Sequence, residues 1–118
     1  MENTAKIEPN WPHAFMPPNP TIGQAINNLN GTSFRIVLVA TEAGVIEGTL
    51  FDGDIRRGIL KGLDLNSSIR SIIRWNVLVV PQEMKRELVI QLMLANKIQQ
   101  IPIVDDQYHI DGLHLWMK

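Results

Sequence analysis

Apolar and polar positions along the chain alternate between helix-like and strand-like periods in a fixed order. Thr21 stands where a helix N-cap belongs, Gln24 follows three residues on, and Ile22, Ala25, Ile26 and Leu29 share one face before Gly31 stops the pattern. Residues 34–40 (FRIVLVA) are apolar and β-branched, which predicts a strand buried on both faces. Glu42, Ala43 and Gly44 make a turn, and residues 45–51 (VIEGTLF) return as a second strand to complete a hairpin. A second helix is predicted from about Asp54 to Leu63, with Asp52 and Asp54 at its positive N-terminal end.

A loop around Asn66–Ser68 leads through Ile69, Ile72 and Ile73 to the apolar run Val77–Val80, which Pro81 ends. Residues 83–97 have a helical pattern, and within 88–95 only Gln91 is polar, so this helix is expected to be covered on nearly every side. Residues 100–104 (QIPIV) and 109–115 (HIDGLHL) form a second pair of strands around a turn at Asp105 and Asp106. Residues 1–20 differ, because they hold five of the seven prolines and no hydrophobic period. They read as an extended, non-helical leader, either mobile or pinned by Trp11 and Phe15.

The chain matches itself at an offset of 64 positions, without a gap, over residues 22–51 against 86–115. Identities are few (Ile26 with Ile90, Ile46 with Ile110, Gly48 with Gly112), but Leu29 falls on Met93, Val37 on Ile101 and Val39 on Ile103. Helix, strand, turn and strand therefore recur in order, and each copy exposes an apolar face that the other must cover.

This order, with GTLFDGDIRR at 48–57 and QIPIVDD at 100–106, resembles a tandem pair of cystathionine-β-synthase-type (CBS) domains, or Bateman module, over about residues 19–118. The resemblance implies a mixed α/β (α+β) fold of two pseudo-symmetric repeats, each a small sheet with helices packed on one side. It divides the chain into a leader (1–20), a first repeat (21–65) and a second (66–118). The DGDIRR stretch and the GLHL ending are most similar to the pair that precedes a sugar-nucleotide nucleotidyltransferase domain. Next comes the pair attached to sugar-phosphate isomerases of the arabinose-5-phosphate type. In either case the catalytic domain is missing, and the chain stops at Lys118 where the last helix of the second repeat would begin, so an excised fragment is expected.

Composition narrows the field. A chain of 118 residues with 45% hydrophobic and 19% charged residues is that of a small folded protein. A net charge of −1 offers no basic field for nucleic acid. The absence of cysteine excludes disulfides, thiolate metal sites and cysteine nucleophiles. No apolar run approaches the roughly 18 residues of a membrane span, and a cytoplasmic, membrane-free protein is expected. His109 and His114, five apart in one strand, point to opposite faces, and neither a metal centre nor a catalytic triad is suggested.

The resemblance also implies a ligand signature: a glycine, a hydroxyl residue three later, and a carboxylate three later again that accepts the ribose hydroxyls while the helix start receives a phosphate. The first copy supplies Gly48, Phe51 and Asp54, with Phe51 in place of the hydroxyl. One lost hydrogen bond of this kind costs about 1–3 kcal/mol. Arg56 or Arg57 is the expected phosphate partner, and Val37–Val39 the expected wall for the base. Against this, Asp54 reads equally as a plain helix cap, and for the two arginines solvated helix surface is the favoured reading. The second copy supplies Gly112, Leu115 and Lys118, a degenerate site, because an ammonium cannot accept.

The implied function is non-catalytic: a regulatory module sensing AMP, ADP, ATP or S-adenosylmethionine and reporting to a fused or partner nucleotidyltransferase, with no cofactor required. The alternatives are a dimerisation module that binds no nucleotide and the pair of a sugar-phosphate isomerase. A homodimer is expected.

Overall fold

The computed structural model describes residues 4–117. In chain order the elements are β1 (Thr4–Ile7), β2 (Phe15–Met16), α1 (Ile22–Asn30), β3 (Ile36–Ala40), β4 (Ile46–Phe51), α2 (Asp52–Leu60), α3 (Arg86–Asn96), β5 (Gln100–Val104) and β6 (Ile110–Met117). Short 3₁₀ turns lie at Trp11–Ala14 and Ile69–Ser71. The capping box predicted at Thr21 is present: its hydroxyl accepts from the Gln24 N–H at 3.2 Å, and the Gln24 side chain accepts from the Thr21 N–H at 2.9 Å. The strand expected from residue 34 starts at Ile36, because Arg35 sits in the left-handed region at φ 63° and breaks the extended backbone.

Two three-stranded sheets result, ordered β2-β3-β4 and β1-β6-β5. The 64-residue repeat is carried to the level of register: Ile36 faces Phe51 as Gln100 faces Leu115, Val39 faces Gly48 as Ile103 faces Gly112, and both hairpins bulge at the same place. The two tips pair with each other across a pseudo-twofold axis. Ile46 N–H donates to Tyr108 O at 2.9 Å and Ile110 N–H to Gly44 O at 2.9 Å, and Val45 bridges its own repeat mate, His109. Gly44 (φ 89°) and Tyr108 (φ 67°) hold the same left-handed turn position.

Each sheet is completed by backbone from outside its hairpin, and these additions are exchanged. β1 joins β6 in the second sheet, whereas β2, a few residues later, joins β3 in the first. After α2 the chain repeats the manoeuvre: Arg74 pairs with Thr49 of the first sheet, and Val80 pairs with Ile103 of the second. Met16 against Val39 and Val80 against Ile103 are again 64 positions apart. The leader is thus neither wholly extended nor loose. Trp11–Ala14 forms a 3₁₀ turn, which tolerates Pro12 in its first turn, and Ala14 is fully buried.

The core is layered. Val37, Val39 and Leu50 meet α1 and α2 through Ile22, Ala25 and Ile55, with Ile69 and Ile73 closing the side. Ile36, Leu38 and Ala40, on the other face of β3, meet Ile110 and Leu113 of β6 together with Ala14 and Phe34. Val89 and Met93 of α3 lie on Val80, Ile101 and Ile103. Within one chain this last helix is not covered on nearly all sides as expected: Leu88 is 48% and Leu94 63% exposed. α3 has a sheet on one side and no second helix packed on the other among the described residues. Its apolar residues outside the sheet-facing stripe therefore meet solvent. No helix of the described residues is long and apolar enough to cross a membrane.

Gly48 is where the exchange is tightest, since a Cβ there would lie 2.7 Å from the Arg74 carbonyl oxygen and 2.7 Å from Ile73 side-chain carbons. At Gly112 the nearest atom would be the tip of the Ile103 side chain at 3.0 Å. Gly48→Ala is expected to cost about 3 kcal/mol, because a paired backbone must move, and Gly112→Ala about 1 kcal/mol, because a side-chain end can yield. Urea denaturation of the two variants measures the difference, and equal losses would contradict it.

Candidate functional site

β4 passes into α2 with no intervening loop, so Gly48, Phe51 and Asp54 are held at one end of the first sheet. α2 begins at Asp52 rather than at 54 and closes at Leu60 rather than 63, which makes Asp54 a third-position residue of the helix and not its cap. Its carboxylate faces back. Oδ2 accepts from the Phe51 N–H at 3.0 Å and from Arg74 Nε at 2.9 Å, and Oδ1 accepts from Arg74 Nη2 at 3.0 Å and Arg57 Nη2 at 2.7 Å. Arg74 itself lies over the Phe51 ring, 5.0 Å from its centroid. Burial works to raise the pKa of Asp54, but the hydrogen bonds from Arg74, from the Phe51 N–H and from Arg57 outweigh it and hold the carboxyl below its ordinary value. Asp54 is 7% exposed and serves to anchor the segment that carries Arg74.

The adjoining space is a cleft of about 620 Å³ lined by Phe51, Arg74, Met93, Lys97, Gln99 and Trp116 among others. A smaller lobe of about 190 Å³ continues past the same Phe51 and Arg74 to Thr49, Asn76, Leu78 and Pro102. Two cations, Arg74 and Lys97, face the cleft, and among the described residues no carboxylate lines either lobe. Aromatic and apolar surface supplies the rest of the wall. Such a lining is complementary to a flat, partly apolar molecule that carries negative charge.

The sequence-based candidates distribute unevenly over this geometry. Phe51 lines both lobes and Gly48 lies beneath the Arg74 backbone. Val37 and Val39 do not wall the cleft: strand alternation turns them into the core under α1 and α2, and it is Ile36 that reaches the smaller lobe. Arg56 pairs with Asp52 on the helix surface at 2.5 Å, and Arg57 is engaged with Asp54, so neither lines the cleft. Arg74, Lys97, Gln100 and Trp116 were missed. Arg74 lies 20 positions from Asp54 in a stretch with no repeat partner of like charge, and Lys97 reaches the cleft from a left-handed residue (φ 55°) just after α3.

The related place in the other repeat is filled. Ala14, Phe34, Ile36, Leu38, Leu113 and Leu115 pack there with Trp11, so apolar side chains occupy what is open beside Arg74. Lys118, the expected third member of that site, lies outside the described residues. His114 replaces in β6 the core residue Leu50 of β4, is 5% exposed, and has no hydrogen-bond partner on either ring nitrogen among the described residues. Burial, and secondarily Arg86, lowers its pKa. His109 is bound instead to Asp105 at 3.0 Å in the turn.

Residues 69–113 match the family model of the CBS domain. Over 81% of its length the chain is 24% identical to an inosine-5′-monophosphate dehydrogenase of Methanocaldococcus jannaschii, and over 78% it is 25% identical to the arabinose 5-phosphate isomerase GutQ of Salmonella typhi. It spans 18% and 29% of the lengths of those two relatives. Among solved structures, it superimposes with a TM-score of 0.75 and 21% identity on the CBS domain pair of protein MJ0100 in complex with 5′-methylthioadenosine and S-adenosyl-L-methionine, covering 84% of this chain and 81% of that one. A CBS domain protein from Pyrobaculum aerophilum complexed with AMP gives 0.76 at 16% identity, covering 84% and 76%. The fold is therefore that of a tandem CBS-domain pair.

Both buried titratable groups make stability depend on pH. The folded pKa of His114 lies below 6.5, so the unfolded chain takes up its proton first, and stability held above about pH 6.5 is lost as pH falls below it. His114→Leu, which copies Leu50, is expected to raise stability by about 1 kcal/mol or more, with a larger gain near pH 5.5 than near pH 8. The folded pKa of Asp54 lies below 3.8, so its contribution is present above that pH and lost as acid titrates it. Asp54→Asn is expected to cost about 1–2 kcal/mol at neutral pH, a figure reduced because Arg74 is half exposed. Denaturation across pH checks both, and a pH-independent gain in His114→Leu would contradict the first.

Proposed function

We propose that this CBS-domain pair is a non-catalytic ligand-sensing module that binds an adenine nucleotide in the cleft beside Arg74. The supporting observation is the cleft itself, where Arg74 and Lys97 face a wall of Phe51, Trp116, Ile98 and Met93 with no carboxylate among the lining residues. A purine fits the aromatic and apolar part, and a phosphate fits between the two cations. The solved pairs of like fold with AMP, methylthioadenosine and S-adenosylmethionine bound lend the same ligand class to this reading. S-adenosylmethionine, which is cationic at sulfur, suits the two cations less well than AMP, ADP or ATP.

Because ligand would contact both the linker strand (Arg74) and the end of α3 (Lys97), binding would draw the two repeats together and report to an attached catalytic part. The sequence pointed to a sugar-nucleotide nucleotidyltransferase there, and next to a sugar-phosphate isomerase of the arabinose-5-phosphate type. The relative from Salmonella typhi favours the second.

A second reading, assembly of a parent enzyme through the helices, is favoured by the exposure of Leu88 and Leu94 on α3 and of Ile59 and Leu60 on α2. It predicts a homodimer, and sedimentation showing a monomer at tens of micromolar would remove it.

AMP, ADP or ATP at about 100 times its dissociation constant is expected to add about 2.7 kcal/mol and raise the melting temperature by several degrees. Lys97→Asn, which keeps a residue tolerant of the left-handed backbone, is expected to weaken nucleotide binding about tenfold while leaving the ligand-free melting temperature nearly unchanged. Calorimetric titration measures the first effect and differential scanning the second. No response to any of the three nucleotides would refute the reading.

A further inference from the structure

Resting on the reading of the cleft as a nucleotide site, we infer that this module recognises its ligand by the anionic group and is indifferent to the ribose diol. A carboxylate holds a vicinal diol more selectively than a neutral amide does, because it can accept from both O–H groups through two charge-assisted bonds. Among the described residues Asp54 is the carboxylate held against the cleft-lining Phe51 and Arg74, and its oxygens are already engaged. Oδ1 accepts from Arg57 Nη2 and from Arg74 Nη2 and Nε, and Oδ2 from the Phe51 N–H and Arg74 Nε. A carboxylate offers about four lone-pair sites, and five such contacts leave none for a sugar. The neighbouring position, where a hydroxyl would help, is Phe51, whose ring instead lies against Arg74.

The same arrangement frees positive charge for the ligand. Asp54 carries one negative charge against the two positive charges of Arg57 and Arg74, so the cluster is net cationic before Lys97 is counted. Arg74 uses Nε and Nη2 on Asp54, while Nη1 takes no part in those contacts and the side chain is half exposed along both lobes of the cleft. Asp54 thus sets the guanidinium in one orientation with donors to spare, which suits a phosphate. Neutral amides near the cleft (Asn76, Gln99) can bond to ribose hydroxyls, but such bonds replace bonds to water at little net gain.

The test is calorimetric titration of the unmodified chain with three probes: AMP, 2′,3′-dideoxy-AMP and adenosine. The expected result is a dideoxy-AMP affinity within about fivefold of that of AMP, and an adenosine affinity lower by about tenfold to a hundredfold. Raising the salt concentration should weaken AMP while leaving adenosine nearly unchanged. A loss of more than about fivefold on removing the diol, or adenosine binding within about tenfold of AMP, overturns the inference and leaves the nucleotide site standing. Absence of AMP binding at millimolar concentration overturns the site, and the inference with it.

Discussion

Neither sheet of this protein can satisfy its own edge. A two-stranded hairpin leaves a row of unpaired backbone groups on either side, and in so small a chain those rows must be covered from within. The chain meets the requirement by exchange: β1 completes the second sheet and β2 the first, and after α2 the strand around Arg74 returns to the first sheet before Val80 joins the second. Every half thus holds backbone that belongs in sequence to the other half or to the segments around it. The pairing of the hairpin tips, Ile46 with Tyr108 and Ile110 with Gly44, then fixes the twofold relation between the halves.

The ionic cluster follows from this constraint. A strand that crosses to pair with Thr49 brings Arg74 to the start of α2, where Asp54 is held by the Phe51 N–H and partly removed from water. A buried carboxylate needs compensation, and Arg74 and Arg57 provide it with forked, charge-assisted bonds. Gly48 serves the same crossing by leaving room for the Arg74 carbonyl. Residues that a ligand signature would set aside for a nucleotide are here committed first to holding the linker, and the cleft takes its chemistry from what the linker then presents.

Equivalent backbones need not carry equivalent sites. The two hairpins share register, bulge and turn conformation, yet Thr49 and Phe51 answer to Leu113 and Leu115, and Leu50 answers to His114. On the first side the lining stays partly polar and open. On the second, Trp11–Ala14 folds in over Phe34 and Leu113 and closes the space with apolar contact. One repeat is left with an open cleft and the other with additional core, while His114 is an imidazole without a hydrogen-bond partner among the described residues where the first repeat has a hydrocarbon.

Much of this was legible along the chain. The unbroken apolar runs at 36–40 and 101–104, the Thr21 capping box and the turn at Gly44 each act through neighbours in sequence, and the 64-residue offset disclosed the symmetry, because a shared fold needs shared periodicity even where identity is lost. Other features depend on which segments meet in space. Period alone could not tell that α3 would have one covered face, or that Val37 and Val39 would turn inward and Ile36 toward the cleft. Nor could it tell that the proline-rich leader would lend a strand to each sheet, or that Asp54 would spend its acceptors on an arginine 20 residues away. Local patterns set the elements, because backbone bonding and side-chain period are short-range. The occupant of each carboxylate and each sheet edge was decided only when distant segments competed for it in the folded chain.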